Sequence, residues 1–193
     1  MADLSDLRKT VASRLTEPLV SLLARTPVTP STITWCGFLL SLGAGVLVAR
    51  ESLIAAGVLV LVAGLCDTLD GALARRTNRV SRFGAVLDST LDRLSEAALL
   101  IGVSFIYIRE AYAPGIILAS VTLTGSLLVS YIRARAEGLG LECKTGLFTR
   151  TERVVIMALG IFLNQITIAL GIVAALSFFT AGQRLLYVRK QTK

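Results

Sequence analysis

Residues 59–102 read LVLVAGLCDTLDGALARRTNRVSRFGAVLDSTLDRLSEAALLIG, and the reading of this stretch decides the fold. The apolar runs that bound it, 52–66 and 97–108, carry no charge, yet Asp67, Asp70, Asp88, Asp92 and Glu96 lie between them. One ionised side chain at the centre of a spanning helix costs roughly 2.5–3.5 kcal/mol. Carboxylates at this density next to membrane-grade sequence therefore call for a compensating cation.

Working outward, residues 26–49, 111–132 and 154–183 are also free of charge, and a spanning helix needs roughly 20 mostly apolar residues. With 54% hydrophobic and 17% charged residues the chain of 193 is too apolar for a soluble domain. The last run has basic residues at both ends, Arg150 and Arg153 before it and Arg184, Arg189 and Lys190 after it. A single crossing would put those groups on opposite sides of the bilayer. The polar pair Asn164-Gln165 offers a turn, so two helices are expected, near 150–163 and 166–188.

The expected fold is thus an all-α integral membrane protein of six transmembrane helices over 26–193, forming one domain. An amphipathic interfacial helix over 1–25 precedes it, with Leu4, Leu7, Val11, Leu15, Leu19 and Leu22 at helical spacing. Alternating the spans places Arg8, Lys9, Arg14 and Arg25, the Arg75 to Arg82 loop, the Arg133 to Arg153 loop and the C-terminal tail on one side. Only Arg50 and Arg109 fall on the other, so both termini and the carboxylate-bearing helix ends are expected at the cytoplasmic face of the cell membrane. The formal charge of +7 is absorbed by this bias, and a nucleic-acid partner is not expected. The N-terminus has no apolar core followed by a small-residue cleavage site, so no removable signal peptide is expected. Cys36, Cys66 and Cys143 form no disulfide or zinc framework. Trp35, Tyr107 and Tyr112, near span ends, are expected as interfacial anchors.

Asp67 and Asp70 are three residues apart and Asp88 and Asp92 four, so on helices each pair projects from one face. Two such faces meeting form a carboxylate cup. Hard cations such as Mg²⁺ take oxygen ligands and bind phosphates beside carboxylates, which suits two-metal phosphoryl transfer. The chain has no His, and zinc is poorly served. Gly71, Ala74 and Gly84 beside these aspartates permit close backbone approach. A small cation transporter is the competing class, since intramembrane carboxylates also mark ion pathways. Their clustering at one end of two spans argues against it. Arg93 and Glu96 are expected to serve packing or a salt bridge.

The pattern Asp67-x2-Asp70-Gly71-x2-Ala74-Arg75-x8-Gly84-x3-Asp88-x3-Asp92 resembles, at every fixed position, the signature of the CDP-alcohol phosphotransferase family. The resemblance implies an enzyme that transfers a phosphatidyl-type group from a CDP-lipid to an alcohol and releases CMP, and that commonly works as a homodimer. It implies that Asp67, Asp70, Asp88 and Asp92 bind two Mg²⁺ ions, with Mn²⁺ an alternative, and that Asp92 acts as general base. The CDP site would comprise Thr34, Asp67, Asp70, Gly71, Ala74, Arg75, Gly84 and Asp88. Thr34 enters through Pro30-Ser31-Thr32-Ile33-Thr34, which is similar to the family's Pro-Asn-x-x-Thr but carries Ser31 where Asn is common. An N-cap also accounts for Ser31 and Thr32.

Arg133 and Arg135 close the fourth span, and Arg150 and Arg153 open the fifth. Arginine presents a planar fork to phosphate, so these four suggest an acceptor that carries its own phosphate. The stretch Ala-Arg-Ala-Glu-Gly-Leu-Gly with the later Arg-x-Glu-Arg looks like the branch of the family that makes phosphatidylinositol phosphate and archaetidylinositol phosphate. That likeness implies CDP-diacylglycerol or CDP-archaeol as donor and myo-inositol phosphate as acceptor. Arg133 stands where bacterial members are expected to have Lys. Glycerol 3-phosphate, the acceptor of phosphatidylglycerophosphate synthases, is the alternative.

Overall fold

The computed structural model describes residues 17–143, 145–146 and 148–192, and its regular structure there is all helical. Leu4, Leu7, Val11 and Leu15 of the expected interfacial helix lie outside the described residues. Helix α1 is described over residues 17–23. It is followed by α2 (Pro30–Ala49), α3 (Leu53–Arg76), α4 (Arg82–Arg109), α5 (Ala113–Gly138), α6 (Arg150–Phe162) and α7 (Ile166–Gln191).

The breaks have local causes. Left-handed backbone at Glu51, Asn78, Ala111 and Asn164 turns the chain after α2, α3, α4 and α6, and Asn tolerates that conformation better than most residues. Ser81 caps α4 by accepting a hydrogen bond from the Gly84 N–H at 2.9 Å. Thr149 and Glu152 form a capping box at the start of α6. The expected turn at Asn164-Gln165 separates α6 from α7.

Helices α2, α3, α5 and α7 are long and apolar enough to cross a membrane. In α2, α3 and α5 only 33% of the spanning segment is buried within the protein, and the large side chains left outside, such as Leu39, Ile54 and Ile117, need lipid around them. The chain is accordingly a membrane protein. Six spans were expected. Helix α4 is long enough but carries Asp88, Asp92, Arg93 and Glu96, and α6, with 13 residues, is about 20 Å long against a hydrocarbon core of about 30 Å.

The chain forms two compact units. The first takes the described residues up to Leu40 together with Val62–Leu94, and Val20, Ile33, Leu69 and Leu73 form its apolar centre. The second takes Ser41–Leu61 and the residues from Ser95 onward. Its core joins Val48, Val60, Val103, Ile161, Leu170 and Val173. Glycines let backbones meet there: a Cβ on Gly45 would lie 2.6 Å from the Ala98 carbonyl oxygen. Helices α5 and α7 pack along each other, and the buried Thr122 hydroxyl donates to the Leu170 carbonyl at 3.2 Å. Tyr107 departs from the anchor role expected of it. It is buried, and its hydroxyl lies 2.7 Å from that of Thr167, so the ring is a packing element with a satisfied polar tip. Trp35 and Tyr112 are exposed.

Candidate active site

Within the first unit, the C-terminal half of α3 and the N-terminal half of α4 present their aspartates to one another. One carboxylate oxygen from each of Asp67, Asp88 and Asp92 lies within 4.8 Å of the other two. Charges this close repel unless a cation sits among them, and all-oxygen donors suit a hard divalent ion. These residues therefore fit a divalent metal site. Asp70 is not in that trio. It is 5% exposed, and its Oδ2 is buried without a hydrogen-bond partner, an arrangement that a ligand cation or donor would satisfy.

Asp70, together with Asp88 of the trio, lines a cavity of about 450 Å³ in the same unit. Its wall is made by the opening of α2 with Thr34, by Gly71, Ala74 and Arg75 on α3, and by Gly84 on α4. These are the residues expected at the CDP site, all but Asp67, which stands in the carboxylate trio. The Thr34 hydroxyl donates to the Pro30 carbonyl at 3.1 Å, and Thr34 lines the cavity together with Asp70, so Thr34 does more than open its helix. Glycine keeps the wall open. A Cβ at Gly71 would meet the Arg75 guanidinium at 3.4 Å, and one at Gly84 would meet Ser81 Oγ at 2.9 Å.

Thr29, Arg79 and Ser81 also line the cavity, beyond the residues that the sequence pattern points to. Arg79 lies in the Arg75 to Arg82 loop, where topology already accounts for basic residues. Ser81 carried a readable signal, because a Ser three residues before a glycine at a helix start is a cap, and a cap sits at the helix mouth.

The four arginines expected at the acceptor lie in the second unit and differ from one another. Arg133 pairs with Glu137 at 2.8 Å across one helical turn, with both side chains more than half exposed. Arg135 is exposed, and Arg150 is half-buried at the start of α6. Arg153 is buried, and its guanidinium grips Glu96 through Nε at 2.7 Å and Nη2 at 3.1 Å. The expected salt-bridge role of Glu96 is thus seen with a definite partner. Arg93 donates to the Ser89 carbonyl of its own helix.

Arg184, taken in the sequence for a tail cation, is also buried. Its Nη1 donates to the Val129 carbonyl at 2.6 Å and its Nε to the Thr145 carbonyl at 3.0 Å. Arg133 and Arg153 both lie within range of its charge. The signal was the polar stripe Ser177, Thr180, Arg184 at helical spacing on α7, a face the protein buries.

Comparison with known proteins agrees with this geometry. The chain is 40% identical over 167 residues to the archaetidylinositol phosphate synthase of Methanothermobacter thermautotrophicus, which covers 83% of each chain. The crystal structure of Mycobacterium tuberculosis phosphatidylinositol phosphate synthase with CDP-DAG bound superposes with a TM-score of 0.81 at 33% identity, covering 91% of this chain and 94% of that one. The same enzyme in complex with manganese and citrate gives a TM-score of 0.80 at 33% identity, covering 90% and 88%. The family model for CDP-alcohol phosphatidyltransferases matches residues 27–181, so the resemblance read from the aspartate pattern holds and this chain is an enzyme of the CDP-alcohol phosphatidyltransferase family.

Proposed function

We propose that this enzyme transfers a phosphatidyl-type group, diacyl or archaeol based, from a CDP-lipid to a hydroxyl of myo-inositol phosphate and releases CMP. The observation that carries the acceptor is the arginine group of the second unit. Arg153 and Arg184 are buried cations within range of each other's charge, with Arg133 in range as well, and cations held together in this way are stabilised by an anion with several oxygens. The relatives named for inositol phosphate products support the same acceptor.

In this reading Thr34, Asp70, Gly71, Ala74, Arg75, Gly84 and Asp88 take the CDP moiety in the cavity they line, with Asp67 beside them. Asp67, Asp70, Asp88 and Asp92 hold two Mg²⁺ ions, and Mn²⁺ can replace them. The ions, when bound, supply positive charge to the pyrophosphate and to the leaving CMP. Asp92 accepts the proton of the attacking hydroxyl as general base. Arg75 and Arg79 offset the donor's phosphate charge at the cavity wall. Arg133, Arg135, Arg150, Arg153 and, newly, Arg184 bind the acceptor phosphate.

The membrane arrangement belongs to the same proposal: six spans, an interfacial N-terminal helix, both termini and the site at the cytoplasmic face, and a homodimer. Labelling of single cysteines placed at the termini in intact and opened cells checks the orientation. Light scattering of the detergent-corrected particle checks the dimer.

The deciding experiment is CMP release by purified protein in nanodiscs with a CDP-lipid and Mg²⁺, across inositol phosphate, glycerol 3-phosphate, free inositol and serine, with Asp92→Asn as control. Release with inositol phosphate alone, lost in Asp92→Asn, is the expected result. Release with glycerol 3-phosphate in its place would overturn the acceptor while leaving the reaction.

A further inference from the structure

We propose that Glu96 is a positioning residue for the acceptor's phosphate, acting through Arg153. The proposal rests on the acceptor reading above and adds to it the residue that holds the arginine in place.

Glu96 on α4 and Arg153 on α6 are 57 residues apart in sequence, and their side chains are 13% and 2% exposed. The carboxylate takes the Nε and Nη2 edge of the guanidinium, at 2.7 and 3.1 Å. A guanidinium has five N–H groups in a fixed plane. Side-on pairing uses one edge and leaves the other, Nη1 and the second N–H of Nη2, oriented as a fork that matches two oxygens of a phosphate. Glu96 thus fixes the plane of the fork and the direction in which it opens.

Its charge has a second effect. Arg184 lies within electrostatic range of Arg153 and is held by backbone carbonyls. Two buried cations repel, and a buried arginine deprived of its carboxylate would be driven to turn toward solvent. Glu96 lets Arg153 stay desolvated before any anion arrives, so that the site is built in advance of its ligand. The Arg133–Glu137 pair does nothing comparable, because both side chains are more than half exposed and the link is one turn of a single helix.

A residue that only braced α4 against α6 would disturb both substrates alike. The test is therefore the split between them. CMP release by the full-length protein in nanodiscs with CDP-lipid and Mg²⁺ is measured against inositol phosphate and, separately, against CDP-lipid, for wild type, Glu96→Gln and Glu96→Asp. Inorganic phosphate is used as a competitor of the acceptor. In Glu96→Gln the acceptor KM is expected to rise about tenfold or more while the CDP-lipid KM holds. Competition by inorganic phosphate weakens in parallel, and Glu96→Asp recovers most of the loss.

An unchanged acceptor KM in Glu96→Gln, or an equal shift in both KM values, overturns the proposal. If Glu96→Gln does not fold, Arg153→Lys, which keeps the cation but not the fork, decides by the same criterion. Wild-type turnover with a different phosphorylated acceptor would sink the inositol assignment alone, and the Glu96 comparison is then read on that acceptor. Turnover only with phosphate-free acceptors overturns both.

Discussion

A carboxylate oxygen of Asp67 on α3 and one of Asp88 on α4 lie within 4.8 Å of each other, and Asp92 joins them at the same spacing. Without a cation this is a repulsive arrangement, and with one it is a ligand set. Asp88→Asn keeps the volume and removes one charge, so two effects of opposite sign follow. The EDTA-treated variant should melt at or above the temperature of EDTA-treated wild type. Adding Mg²⁺ or Mn²⁺ at about 100 times its Kd should stabilise wild type by about 2.7 kcal/mol and the variant by far less. Metal-dependent CMP release should fall by about 10²-fold. A variant that keeps both the metal-induced rise in melting temperature and its turnover would remove Asp88 from the metal site.

Thr34 on α2 lines the same cavity as Asp70, and its hydroxyl donates to the Pro30 carbonyl. Thr34→Val preserves shape and deletes the hydroxyl, at a cost of about 1 kcal/mol for one hydrogen bond. The expected outcome is a CDP-lipid KM raised about fivefold with the acceptor KM unchanged. Steady-state titration of each substrate checks it, and an effect confined to the acceptor would mean that Thr34 does not belong to the nucleotide cavity.

How far the sequence foretold this site depends on which interactions are local. The pairs Asp67/Asp70 and Asp88/Asp92 were readable because helical periodicity alone puts each on one face. Periodicity could not say that Asp70 would leave the trio for the cavity and Thr34, since that depends on how α2, α3 and α4 pack. The turn at Asn164 was legible from a polar pair within an apolar run, and with it the short α6, expected near 150–163 and found at Arg150–Phe162. Arg153 and Arg184 were hidden by their position. Basic residues at span ends are already explained by topology, and only a partner 57 residues away reveals that Arg153 is buried.

Gly71 sits inside α3, where glycine is about 1 kcal/mol less favourable than alanine. An added Cβ there would meet only the end of the Arg75 side chain, at 3.4 Å. Gly71→Ala should therefore fold with a melting temperature equal to or above that of wild type. Its methyl group intrudes on the cavity and on Arg75, so the CDP-lipid KM should rise by roughly tenfold. Paired melting curves and donor titrations test this. Wild-type donor affinity in a stable Gly71→Ala protein would show that the nucleotide lies elsewhere.

Gly102 and Gly45 face each other where α4 and α2 touch in the second unit, and a Cβ on Gly102 would overlap the Gly45 backbone. Backbone cannot swing away as a side chain can, so Gly102→Ala must separate the helices, at a cost of about 1–3 kcal/mol. Gly171 in α7 is the control, because a Cβ there meets nothing within 4 Å, and Gly171→Ala should be neutral or stabilising by up to about 1 kcal/mol. Melting of the two variants side by side in one detergent separates close helix packing from helix propensity. Gly102→Ala should lose several degrees and Gly171→Ala none. Equal shifts would mean that the α2–α4 contact does not depend on the missing side chain.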